Sequence, residues 1–103
     1  MNSEIMSNEV NTTKKIVIDG SLITTKEEFF EFMRGALGGD LMIGSNLDAL
    51  HDALTTVSYS AEFIVEGRDL LEHNLGSFWD KVCEVFNDSL DENYNISLSF
   101  ESK

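Results

Sequence analysis

Three short apolar runs constrain this chain more than anything else in it. Ile16-Val17-Ile18 stops at Asp19-Gly20, Phe63-Ile64-Val65 stops at Gly67, and Ile96, Leu98 and Phe100 alternate with Ser97 and Ser99. Runs of this length, rich in β-branched and aromatic residues and bounded by turn formers, read as strands. The two stretches between them carry apolar residues at helical spacing. Strands separated by helical sequence pair in parallel through right-handed crossovers, because a tight hairpin cannot join them. The expected fold is therefore α/β, a three-stranded parallel sheet packed with about four helices. The two continuous runs predict strands hidden on both faces. The alternating third run predicts a strand that buries one face and sits at an edge.

The helices can be placed from caps and periodicity. Thr24 or Thr25 is positioned to cap a helix with Glu27 and Glu28 in its first turn, where they meet the positive end of the dipole. Phe29, Phe30, Met33 and Leu37 form its apolar stripe, and Gly38-Gly39 ends it. After a linker with Leu41, Met42, Ile43 and Gly44, Ser45 or Asn46 opens a second helix to about Thr56, with Leu47, Leu50 and Leu54 on one line. Arg68 to Leu75 predicts a short third helix. Gly76-Ser77 leads into a fourth to about Leu90, with Trp79, Val82, Cys83, Phe86 and Leu90 on one face and Asn93 as the exit.

A chain of 103 residues with 42% hydrophobic side chains supports one core, and no proline, repeat or low-complexity block marks a second unit. Residues 1–13 are polar with no sustained period, which predicts a disordered arm before a domain at 14–103. That arm lacks the apolar run of a signal peptide, and no stretch approaches the roughly 20 apolar residues that span a bilayer. Cys83 stands alone, so no internal disulfide forms and a reducing cytoplasm fits. Seven Lys and Arg against 19 Asp and Glu leave a formal charge of -12. Nucleic acid and anionic membrane are poor partners for such a surface, whereas a basic protein is attracted to it. The same charge also serves plain solubility, and it argues against close self-association of like surfaces.

On the second helix, Asp48, His51, Asp52 and Thr55 fall at i, i+3, i+4 and i+7, opposite the leucines. An amphipathic helix with a solvated face explains this pattern as readily as a binding surface does. Asp48, in the first turn, also serves the helix dipole; Asp52, a turn further in, has less structural reason to be acidic. Glu84, Asp88 and Glu92 make a stripe on the last helix, and like charges at that spacing repel. A cationic partner would relieve the repulsion. His51 between Asp48 and Asp52 suggests a general base, but its nearest nucleophile candidates, Ser45 and Thr55, lie on the same stretch of chain in positions fixed by helix geometry. Cys83 lies on an apolar face, and one helix offering three ligands without a second cluster makes a weak metal site. Gly35, Gly38, Gly39 and Gly44 do not form a phosphate loop. Neither a cofactor nor a metal is expected.

The stretch Gly44-Ser45-Asn46-Leu47-Asp48-Ala49-Leu50-His51-Asp52-Ala53-Leu54 resembles the barstar family of ribonuclease inhibitors, whose signature there is Gly, any residue, Asn-Leu-Asp-Ala-Leu, a variable residue, then Asp. Upstream, Lys14-Lys15-Ile16-Val17-Ile18-Asp19-Gly20 looks like that family's opening strand, with no gap needed to reach Asn46. Val85-Phe86, followed by Asp88 and Glu92, falls where the family carries carboxylates at the end of its last helix. The resemblance covers roughly 14–100 and is weakest over 57–77.

It implies a cytoplasmic, bacterial immunity protein that plugs the active site of a basic secreted ribonuclease with its second helix and the loop before it. By position, Asp52 becomes the central carboxylate facing the enzyme's phosphate-binding cations, Asp48 a second acceptor and Asn46 a hydrogen-bonding contact. Thr55 with Asp88 or Glu92 falls at the rim. Met42, His51 and Val57 stand where the family presents aromatic residues, so the ribonuclease met here is expected to differ from the family's usual one. The alternative is an acidic, non-enzymatic adaptor on the same fold that binds another basic protein. Both readings make the chain a binder and a monomer when free.

Overall fold

The computed structural model describes residues 13–38 and 44–101. In chain order the elements are β1 (Lys14–Asp19), α1 (Lys26–Leu37), α2 (Leu47–Thr56), β2 (Ala61–Glu66), α3 (Arg68–Leu75), α4 (Ser77–Glu92) and β3 (Ile96–Glu101). The sheet is parallel throughout with order β1-β2-β3, and Ile16, Phe63 and Leu98 stand side by side across it. The α/β architecture with three parallel strands and four helices is the one expected. The arm at 1–12, together with Met42 and its neighbours 39–43, lies outside the described residues.

The first two helices begin where their capping chemistry dictates, while α3 and α4 start at Gly67 and Gly76 without a side-chain cap. Thr25 Oγ1 accepts the Glu28 N–H at 3.1 Å, while the Glu28 carboxylate accepts both the N–H and the hydroxyl of Thr24 at 2.8 Å. These reciprocal bonds satisfy N–H groups that the first helical turn leaves unpaired. Asn46 Oδ1 caps α2 by accepting from Ala49 N at 2.7 Å. Gly38, at φ 93°, ends α1 in a backbone region that residues with a Cβ seldom occupy. Phe29, Phe30, Met33 and Leu37 of α1 and Leu50, Ala53 and Leu54 of α2 are buried on the inner face of the sheet layer, against Trp79, Val82 and Phe86 of α4. Full burial of a leucine such as Leu50 or Leu54 is worth about 1.5–3 kcal/mol.

Strand burial departs from the expectation of two strands hidden on both faces. Ile16 and Ile18 are buried, but Val17 is 39% exposed, because strand order 1-2-3 puts the covering helices on one face of the sheet and Val17 points to the other. On β2 the inward residues Ala61, Phe63 and Val65 are buried and Glu62, Ile64 and Glu66 only half so. Successive right-handed crossovers in this order carry the helices to one side of the sheet, leaving the other face without a covering layer. An apolar run at Ile16-Val17-Ile18 is compatible with that, since one valine on an open face is a small penalty. β3 is an edge strand as expected, yet its one-sided burial fades from Ile96 to Phe100, whose ring lies beneath the Arg68 guanidinium at 5.1 Å.

The turns leaving β1 and β2 touch. Gly20 N–H donates to Glu66 O at 2.8 Å, and a Cβ on Gly20 would stand 2.4 Å from the Gly67 carbonyl oxygen. Asn93 joins helices α2 and α4 at their far end. This buried side chain donates from Nδ2 to Leu54 O at 2.8 Å and to Val57 O at 2.9 Å.

Candidate functional site

The helix α2 presents the face expected of it. Leu50 and Leu54 point into the core, Asp48 and Asp52 are exposed, and His51 and Thr55 are partly exposed. Both ends of the helix are fixed from outside. Before its start, Arg34 of α1 donates from Nη2 to Ser45 Oγ at 2.6 Å. After its end, the side-chain amides of Asn93 and Asn95 hold the Val57 carbonyl at 2.9 and 3.1 Å. A helix clamped in this way holds its outward carboxylates in one geometry, which lowers the ordering entropy lost on binding.

The C-terminal half of α4 lies along α2 and brings the second group of predicted residues to the same place. His51 Nε2 is 3.3 Å from Glu92 Oε2. Asp88, one turn earlier on α4, is also exposed, as is Glu84. The two helices run in the same direction. Leu47 and Asp48 at the start of α2 share a groove of about 670 Å³ with Phe78 and Lys81 at the start of α4, and Asn93 ties their C-terminal ends together. The negative ends of two helix dipoles, each equivalent to roughly half an elementary charge, therefore emerge beside Glu92 and Asp52. Neither helix has a basic residue in its last turn. The opposite end carries mixed charge, with Lys26, Arg34 and Lys81 lining the groove beside Glu27, Glu31 and Asp48. The C-terminal ends of α2 and α4 thus present carboxylates with no basic residue in either last turn, whereas their N-terminal ends mix both signs.

Several predicted residues have their polar atoms committed. Thr55 Oγ1 donates to His51 O at 2.9 Å, so its hydroxyl offers an outside partner lone pairs and no proton. Thr56 Oγ1 donates to Asp52 O at 2.6 Å. Asn46 spends its Oδ1 on the helix cap. Val57, placed by resemblance at a contact position, is 2% exposed and belongs to the core.

His51 Nε2 faces a carboxylate, and the Thr55 hydroxyl is turned to the backbone, so neither forms a nucleophile–base pair. Cys83 is half-buried, and burial, helped by the nearby Asp80 carboxylate, pushes its thiol pKa up, the reverse of an activated nucleophile. Among the described residues there is no group of three His, Cys, Asp or Glu side chains able to hold a metal ion, and no helix is long and apolar enough to cross a membrane.

Sequence reasoning missed three residues. Arg34 reads in the sequence as a cation in the last turn of α1, a sufficient role by itself, and nothing in linear spacing reveals Ser45 as its partner. Asn93 was expected only as a helix exit, and Asn95 drew no expectation. A polar amide between two acidic residues and a strand is the signal that could have raised the question of what it bonds.

The family model described as Barstar (barnase inhibitor) matches residues 13–101. No curated protein matches the chain.

Proposed function

The chain belongs to the Barstar family of barnase inhibitors, and from that premise we propose that it inhibits a basic ribonuclease by laying α2 across the enzyme's active site. In this reading Asp52 takes the place of an RNA phosphate among the enzyme's cations. Asp48 accepts a second basic or polar group, Asn46 and Met42 contact the enzyme beside the helix start, and Thr55, Asp88 and Glu92 close the rim. His51 carries the contact made by an aromatic elsewhere in the family, with an imidazole that can stack or donate. The observation that carries the proposal is the convergence of Asp52, His51 and Glu92 with the negative ends of two parallel helices. A cation-binding enzyme surface is the complement of such a face. Opposite charge also steers the encounter, an effect for which barnase and its inhibitor are the standard worked case. A lone, half-buried thiol suits a reducing cytoplasm, where an inhibitor would protect the cell that makes the ribonuclease.

The test is RNA cleavage by a panel of basic barnase-like ribonucleases, barnase among them, with increasing amounts of this protein at low and high salt. Stoichiometric inhibition is expected, with association slowing as salt screens the field. Asp52→Ala strands enzyme cations in a closed interface, an effect of about 3–5 kcal/mol, or some hundred- to several-thousand-fold. Glu84→Ala, exposed and a turn away, is worth under about 1 kcal/mol. Equal and small effects of the two substitutions would sink the helix plug. Absence of inhibition by a folded protein would favour an acidic adaptor for a different basic protein.

A further inference from the structure

Of the seven Phe, two Tyr and one Trp in the chain, every one but Tyr94 is buried, packed against the core or, for Phe100, stacked beneath Arg68. Tyr94 is 94% exposed. The fold makes no use of its side chain, yet it holds the backbone on both sides of it. Asn93 N–H donates to Ser89 O at 2.8 Å, and its amide reaches the two carbonyls at the end of α2. Asn93 Oδ1 accepts the Asn95 N–H at 3.0 Å, and Asn95 Nδ2 donates to Val57 O at 3.1 Å. The Asn95 carbonyl in turn accepts from Ala61 N at 2.9 Å, at the start of the central strand. A large ring on a fixed mount, with two side-chain torsions to immobilise, provides contact area at low entropic cost.

The location also matters. Tyr94 follows Glu92, whose carboxylate meets His51, by two residues, a Cα separation of at most about 7 Å. A standard interface covers about 800 Å² of each partner, a disc of roughly 16 Å radius. A footprint of that radius centred on the His51–Glu92 contact reaches the Cα of Tyr94. The side chain stands where two helix dipoles end and no basic residue intervenes, so the partner surface that arrives there is cationic. The face of a phenol ring binds an ammonium or guanidinium group through its quadrupole.

Resting on the inhibitor reading above, we propose that Tyr94 is an aromatic anchor of the partner-binding face, stacking on a Lys or Arg side chain of the basic partner beside the carboxylates of Glu92 and Asp52. It supplies from the α4–β3 turn an aromatic contact that α2 does not offer at His51. Tyr94 also gives this protein a means of discriminating among ribonucleases that differ at the rim of the active site.

The experiment measures thermal unfolding, and binding kinetics with the barnase-like ribonuclease of the panel above that the wild type inhibits best, for the wild type, Tyr94→Ala, Tyr94→Phe and Asp52→Ala. An anchor predicts that Tyr94→Ala melts with the wild type, since it removes an unburied side chain, while binding weakens about tenfold or more, mainly through faster dissociation. Tyr94→Phe keeps the ring and stays within about threefold of the wild type. If Tyr94→Ala binds as the wild type does while Asp52→Ala fails, the anchor is wrong and the helix plug stands. A lowered melting temperature in Tyr94→Ala would make the residue structural and overturn its assignment. Wild-type protein that neither binds nor inhibits any ribonuclease of the panel overturns the inhibitor reading and the anchor with it.

Discussion

Replacing Asn93 tests the clamp on which the geometry of the acidic face depends. Its side chain makes three hydrogen bonds, two donated to Leu54 O and Val57 O and one accepted from Asn95 N. Each is worth about 0.5–1.5 kcal/mol net, and groups left buried without a partner add to the loss. The Val57 carbonyl keeps the Asn95 amide, which limits the damage at that atom. Asn93→Ala should therefore destabilise the protein by about 2–3 kcal/mol, a large share of the roughly 5–15 kcal/mol that holds a domain folded. In urea this lowers the midpoint by about 1–2 M at a slope near 1.5 kcal/mol/M. Asn93→Asp separates donor from acceptor. It keeps Oδ1 but turns a second carboxylate oxygen on two carbonyls, so at pH 7 it should cost more than alanine. Those carbonyls raise the folded-state pKa of the introduced carboxyl above the unfolded value of about 3.9. Relative stability is then highest when the acid is protonated and is lost as pH rises, so the variant should recover toward about pH 4. An unfolding free energy for Asn93→Ala within about 0.5 kcal/mol of the wild type would refute the clamp, as would equal behaviour of the Ala and Asp variants at both pH values.

Two further outcomes follow from local geometry. Gly20→Ala places a methyl group against the Gly67 carbonyl, where only backbone can yield, and should destabilise by about 1–3 kcal/mol in urea titration. Gly35→Ala, in a helix interior with nothing within 4 Å of the new atom, should instead stabilise by about 0.5–1 kcal/mol. Glu28 has its pKa held below the ordinary 4.5 by the Thr24 N–H and hydroxyl, so its contribution is present above that value and lost as pH falls through the lower folded one. The melting temperature of Glu28→Gln should therefore lie below that of the wild type at pH 7 and converge with it as the carboxyl becomes protonated in acid, and a gap of constant size would contradict this assignment.

Most of the fold was legible because caps and periods agree with tertiary structure. Thr25, Asn46, Gly38 and Asn93 mark helix ends both in the sequence and in space, and the boundaries of β2 and α3 fall where Gly67 and the change of period put them. The burial of Val17 was misjudged because a continuous apolar run reads the same in a strand covered on both faces and in an edge strand covered on one. Strand order decides between them, and strand order is a non-local property. The candidate face was legible as a helical projection, Asp48, His51, Asp52 and Thr55 on one side. The approach of Glu92 to His51 was not, because it depends on how α4 lies along α2. Val57 shows the converse limit: transfer of a contact position by alignment carried no knowledge of which way its side chain turns.

The all-parallel order β1-β2-β3 also has a kinetic consequence. Every ladder in the sheet joins segments on opposite sides of a helical crossover, so no strand pair can form by local zipping. The entropy of closing each crossover must be lost before its hydrogen bonds repay it, which slows folding relative to a helical bundle of the same length. Proline is absent from the chain, so prolyl isomerisation cannot add a slow step. The rate at which the newly made chain reaches its folded state is thus governed by the search that docks α1, α2 and α4 on the strands they connect. Substitutions in Leu50, Leu54, Phe63 or Phe86 would change that rate as well as final stability wherever those contacts form early.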